Sequence, residues 1–197
     1  YGVKTVIDLR DEWETRDYPN VFAQSQSVSY VNLPFIGDDL SQSEAWQKHT
    51  QNYDELHELY SRYLDGCQTQ IGAIMTTLAE SPSTVIFHCY AGKDRTGIIA
   101  GLLMAAICVS AHLIAQDYAL SKHHIAHLIA QWRAYALQNG RDMQQLERDA
   151  GSDTATMLSM LAYLKDRYGT ITDYLHGCGV SERQLKQLRS RFVDADG

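Results

Sequence analysis

Cysteine is scarce and scattered in this 197-residue chain. Cys67, Cys89, Cys108 and Cys178 form no closely spaced pair, which argues against a disulfide framework or a zinc site. Long apolar runs are missing as well. The most apolar stretch, Ile98 to Val109, is short enough for a buried core helix, so no membrane insertion is expected. Positive charge is the third shortage: 17 Lys and Arg stand against 24 Asp and Glu, for a net charge of −7 and a pI near 5.5. That balance argues against nucleic acid as a partner and against strong attachment to anionic membranes. An acidic protein that binds an anion must concentrate its cations locally. With no repeat, low-complexity tract, signal-peptide pattern or long linker, and with 45% apolar residues, residues 1–197 read as one domain.

The patterning that is present predicts an α/β fold with a central, mostly parallel sheet flanked by helices and a helix-rich C-terminal half. Val3 to Leu9 is rich in β-branched residues and reads as a buried strand; Val28 to Phe35 reads as a second, ending at Pro34. Residues 44–64 place Trp46, Tyr53, Leu56, Tyr60 and Tyr63 at helical spacing, and Ile71, Ile74, Met75 and Leu78 mark another helix. Ser81-Pro82-Ser83 breaks the chain before Thr84 to Phe87, a short apolar run with the character of a central parallel strand. Everything after residue 97 has helical pattern. Gly97 to Cys108 is apolar nearly all round, Ser110 caps a helix reaching Leu120, Ile125 to Ala136 and Met157 to Tyr168 follow, and Ser181 caps a last helix with Leu185, Leu188 and Phe192 inward.

Between the third strand and the apolar helix stands His88-Cys89-Tyr90-Ala91-Gly92-Lys93-Asp94-Arg95-Thr96-Gly97. A cysteine and an arginine separated by five residues close one loop around a tetrahedral oxyanion. Backbone N–H groups of such a loop point inward and the following helix adds its positive end. Arg95 offers a planar fork for two phosphate oxygens, and the same field favours a thiolate at Cys89, the nucleophile. Gly92 supplies backbone freedom that a side chain forbids, and Gly97 lets the helix begin close to the strand. The loop follows the carboxyl end of a strand, where open α/β sheets bind ligands.

This decapeptide resembles the signature loop of the protein tyrosine phosphatase superfamily. Its Lys-Asp-Arg-Thr-Gly ending is similar to the bacterial tyrosine/lipid phosphatase branch, as are Gly2 to Arg10 and the segment from Tyr168-Gly169 to Phe192. The resemblance implies a cysteine-phosphatase fold and hydrolysis of phosphate monoesters through a phosphocysteine, with no cofactor and no metal. Substrates would be phosphotyrosine proteins, with phosphoserine, phosphothreonine and phosphoinositides as further candidates. The familiar Trp-Pro-Asp acid motif is absent, since none of the three prolines follows a tryptophan. The branch instead assigns the acid role to an aspartate within the loop, here Asp94, which then serves as base; the competing reading is an ion pair with Arg95 or a helix cap. By the same resemblance, His88 lies behind the thiolate and orients the loop. Tyr90, Ala91 and Gly92 line the anion cradle, Lys93 stands at the rim as a second cation for a ring phosphate or for general steering, and Thr96 hydrogen-bonds the departing sulfur.

Further expectations follow from the resemblance. Residues 121–149 are a candidate helical lid carrying Trp132 and Tyr135, and the location is cytoplasmic or that of a secreted bacterial effector. The branch carries a segment ahead of the first strand, with an Arg-Asp-Leu-Gly-Gly-like motif absent here, so a missing N-terminal segment is expected. Asp8 and Arg10 read as a strand-end charge pair near the same mouth. His123 and His127 stand four apart but read as a solvated helix face rather than metal ligands. Two other classes remain open: a catalytically inactive phosphopeptide-binding module, and a sulfurtransferase of the rhodanese type.

Overall fold

Three parallel strands carry the site at their carboxyl ends. The computed structural model describes residues 1–82 and 84–192. Strand β1 (Val3–Asp8) is central, with β2 (Ser29–Asn32) on one side and β3 (Thr84–His88) on the other. Asp8 pairs in register with both Asn32 and His88, so all three strands end at one level. Helix α1 (Glu12–Asp17) follows β1 directly. Helices α2 (Asp38–Ser41), α3 (Glu44–Gln51), α4 (Leu56–Gly66) and α5 (Gln68–Glu80) fill the stretch between β2 and β3. After the loop come α6 (Asp94–Ala106), α7 (Ala111–Ala119), α8 (Ser121–His124), α9 (Ala126–Gln138) and α10 (Met143–Ala150). The chain then runs through α11 (Thr154–Tyr168), α12 (Ile171–Gly177) and α13 (Glu182–Phe192).

Helix α6 is the hub of the core. Its Ile98, Ile99, Leu102 and Ala106 are buried, joined by Ile7 from β1, Leu9 just after it, Ile71, Ile74 and Met75 from α5, and Met157 and Met160 from α11. An element apolar on all sides must be covered on all sides, and α5, α7, α12, α13 and β3 all pack on α6. Each fully buried aliphatic side chain here contributes about 1.5–3 kcal/mol.

Several expectations need correction. Strand β3 is an edge of the sheet rather than its centre, and Ile86 is 47% exposed; a short apolar run does not reveal how many faces will be covered. The single helix expected over 44–64 is two, because the chain turns at 52–55. There the Arg62 guanidinium donates to the carbonyls of His49 and Asn52, satisfying acceptors that the end of α3 leaves open. Helix α6 starts at Asp94, inside the loop, not at Gly97. Phe192 is exposed rather than inward, while Leu185 and Leu188 are buried as expected. The short helices α1 and α2 carry too little apolar periodicity to be read from sequence, whereas α10 shows Met143, Leu146 and Ala150 at helical spacing and was missed. Of the expected break at 81–83, Ser83 lies outside the described residues.

Candidate active site

The loop between β3 and α6 forms because its backbone needs are met at both ends. His88 Nδ1 lies 2.9 Å from the Cys89 carbonyl, and Nε2 lies 2.8 Å from Asn20 Nδ2. Asn20 Oδ1 accepts the Phe22 N–H, which fixes the amide orientation and makes Nδ2 the donor. The imidazole therefore accepts at Nε2 and donates from Nδ1, gripping the Cys89 peptide. Gly92 adopts φ 73°, the left-handed region that favours glycine. Gly97 answers a different demand: a Cβ there would stand 2.9 Å from the Tyr118 ring, so the close approach is to α7 rather than to a strand.

Behind His88 lies a buried charge cluster. The Asp8 carboxylate accepts from Arg10 Nε and Nη2 at 2.9 and 2.7 Å and from the Tyr30 hydroxyl at 3.0 Å. Burial alone would raise the Asp8 carboxyl, but the Arg10 hydrogen bonds hold it below its ordinary value. The strand-end pair is thus present, and it is buried rather than solvated. Removing one partner leaves an uncompensated charge, so Arg10→Leu is expected to cost about 3–5 kcal/mol in urea unfolding. A loss below about 1 kcal/mol, the range of surface pairs, would show that the cluster holds nothing up.

Cys89 is buried, with 6% of its surface exposed. Arg95, on the first turn of α6, sends Nη1 and Nη2 to the two carboxylate oxygens of Glu14 at 2.5 and 2.8 Å. An end-on fork uses one N–H from each terminal nitrogen, leaving Nε–H and an outer N–H for phosphate oxygens. Burial opposes the charge on Arg95, yet the Glu14 hydrogen bonds and the nearby Cys89 hold it above its usual value. Glu14 was not anticipated. Its one sequence signal is the Asp11-Glu12-Trp13-Glu14 spacing of a capping box, and the Glu14 carboxylate indeed accepts the Asp11 N–H at 2.9 Å.

Asp94 does not pair with Arg95. Its Oδ1 receives the Lys93 ammonium at 2.8 Å and the Tyr60 hydroxyl at 2.6 Å, and Tyr60 in turn meets the Tyr118 hydroxyl at 2.7 Å. Lys93 is not at the rim. It is 1% exposed and donates to the carbonyls of Asp149 and Gly151 at 2.6 and 2.8 Å, because a buried ammonium must find acceptors for its protons. The Thr96 hydroxyl is buried without a partner among the described residues. Tyr90 is half exposed and meets the Tyr18 ring edge-on; Ala91 packs against Ile125, Ile129 and Ala150 of the 125–150 segment.

Two cavities open on this arrangement. One of 320 Å³ is lined by Arg95, Asp94, Glu14, Asp11 and Asp149, with Trp13, Ile36, Tyr53, Leu56, Leu59 and Tyr63 as its apolar and aromatic wall. A larger one of 730 Å³ lies between Asp94 and α9–α10, with Trp132, Arg141, Asp142 and Asp149 among its lining.

The tyrosine phosphatase family matches residues 1–194. The chain belongs to that family. Among its relatives, a tyrosine-protein phosphatase of Nostoc commune is 32% identical over 200 residues, spanning 98% of this chain and 67% of that protein. The triple specificity protein phosphatase PtpB of Mycobacterium tuberculosis is 28% identical over 227 residues, spanning 95% of this chain and 81% of the relative. As a tyrosine phosphatase family member the protein is a cysteine-dependent phosphatase acting on phosphorylated substrates, and the sulfurtransferase alternative falls away. No helix among the described residues is long and apolar enough to cross a membrane.

Proposed function

We propose that this protein hydrolyses phosphotyrosine in proteins, with Cys89 as nucleophile, Arg95 and the loop amides as the phosphate cradle and Asp94 as general acid. The observation that carries the reading is the Arg95–Glu14 fork, which aims a fixed guanidinium edge into a cleft walled by Trp13, Tyr53 and Tyr63. An aryl phosphate suits such a cleft: its ring meets aromatic walls and its dianion meets Arg95. Cys89 attacks phosphorus in line, the S–P bond forms, and the leaving oxygen takes a proton from Asp94. Both donors to Asp94 fall on Oδ1, so the transferable proton belongs on Oδ2. Segment 121–149 acts as the lid, resting on Ala91 through Ile125 and Ile129; Trp132 faces the larger cavity, whereas Tyr135 is turned to solvent.

Inositol phosphates are the second reading. Lys93 is engaged elsewhere, but Arg141 lines the larger cavity beside Asp94 and gives a second phosphate a cation to meet. The acid assignment is tested by leaving-group dependence. Asp94→Ala is expected to slow an alkyl phosphate about 10²–10³-fold while p-nitrophenyl phosphate, whose leaving group needs little protonation, slows far less. Equal slowing of both would remove Asp94 from the acid role.

A further inference from the structure

The phosphatase reading leaves one carboxyl in the cleft without a task. Asp149, near the end of α10, lines both cavities, sharing the smaller with Arg95 and both with Asp94. It is held from two directions. Its carbonyl accepts the Lys93 ammonium at 2.6 Å, and its Oδ1 accepts the Tyr53 hydroxyl at 2.6 Å. The first contact ties the residue to the phosphate loop, and the second sets the direction of the carboxyl.

The two aspartates that line both cavities differ in their company. Asp94 has a lysine ammonium against its carboxylate, whereas the Asp149 carboxyl has a neutral phenol. Burial pushes the Asp149 carboxyl above its ordinary value, and the Asp94 charge adds to this. The Tyr53 hydrogen bond and the Arg148 and Lys93 charges act the other way. A carboxylate whose proton affinity is raised is the more effective proton acceptor, which fits Asp149 for base work.

We infer that Asp149 is the base of the hydrolytic half-reaction. Resting on the phosphatase reading, the step is as follows. A water held by Asp149 Oδ2 attacks the phosphorus of phosphocysteine-89. Its O–H bond breaks and the proton passes to Oδ2, the new O–P bond forms, and the S–P bond breaks with its electron pair returning to Sγ as thiolate. Inorganic phosphate leaves, and Asp149 gives its proton to solvent. Asp94 is then the acid of the first half-reaction only.

In a two-step mechanism kcat/KM reports formation of the phosphocysteine, while kcat also reports its hydrolysis. Asp149→Asn keeps an acceptor for Tyr53 but removes the base. With p-nitrophenyl phosphate in rapid-quench and steady-state assays, it should lower kcat about 10²-fold with kcat/KM nearly unchanged. A full-amplitude burst and phosphorylated intact protein, detected by mass, should accompany the fall. A parallel fall in kcat and kcat/KM with no phosphoenzyme would mean that Asp149 only holds the cover, and would overturn the inference; so would an unchanged kcat. Tyr53→Phe is the second arm. It removes a donor that favours the carboxylate, so the acid limb of the kcat–pH profile should move to higher pH; an unmoved limb overturns the assignment even if Asp149→Asn fails to fold. A wild-type protein that releases no phosphate overturns the site reading itself, an outcome distinct from either variant result.

Discussion

Cys89→Ser is expected to abolish phosphate release from a phosphotyrosine peptide, by something on the order of 10⁵-fold. The size of the effect follows from what surrounds the residue. A serine hydroxyl is a weak nucleophile at neutral pH unless a base takes its proton, and the nearest candidate is His88. Both its ring nitrogens are engaged: Nδ1 grips the Cys89 carbonyl and Nε2 accepts from Asn20. No Ser–His couple can form without dismantling the loop, so the proposed mechanism leaves a serine at this position with no base to activate it. Cysteine-to-serine exchange changes one atom, and the protein should unfold at nearly the same urea concentration. The measurement is phosphate release under single-turnover conditions, run in parallel on a set of inositol phosphates. Turnover persisting in the folded variant would place the nucleophile elsewhere and undo the mechanism.

The second large effect is at Arg95. Arg95→Lys keeps the charge yet should lower kcat/KM about 10³-fold or more. The guanidinium holds two carboxylate oxygens of Glu14 along one edge, and in the proposed cradle another edge of the same plane would hold two phosphate oxygens. An ammonium has three donors on a single atom and cannot span both. It would stay with Glu14, which is 4% exposed and needs its counter-charge, and leave the phosphate to the backbone amides. Glu14→Gln separates the two duties. It retains one acceptor for Arg95 and should cost only about tenfold, through a less rigid fork. If Arg95→Lys retains kcat/KM within about tenfold, phosphate binding by the fork is not what drives catalysis.

What could be read from the chain alone was local. The loop, the strand before it and the helix after it are continuous in sequence, so spacing brought Cys89 and Arg95 forward as candidates and the family resemblance added Asp94. What was missed is held by contacts across the fold. Glu14 reaches Arg95 from 81 positions away, Asn20 reaches His88 from 68, and Lys93 meets the 149–151 carbonyls from 56 and 58. No periodicity encodes such pairs. The rim position expected for Lys93 failed for a related reason. A lysine in an anion loop reads as a cation for the ligand, and only the fold reveals backbone acceptors that bury it instead. Helix 44–64 erred because Arg62, not a proline or glycine, accommodates the break. Hydrophobic pattern locates elements well, but polar side chains decide where those elements stop and how the site is braced.

The attachment of Lys93 to the Asp149 and Gly151 carbonyls has an evolutionary consequence. Every residue type presents the same peptide carbonyl, so this tie consults no side chain on the far strand of the contact. Outside Asp149, Ala150 and Ser152, whose side chains are engaged, the stretch from 143 to 152 can therefore drift in sequence, changing what it shows to an incoming substrate, while its fastening to the loop persists. Lineages can re-tailor substrate choice in that cassette by substitution alone, without having to reinvent the hinge between cover and nucleophile.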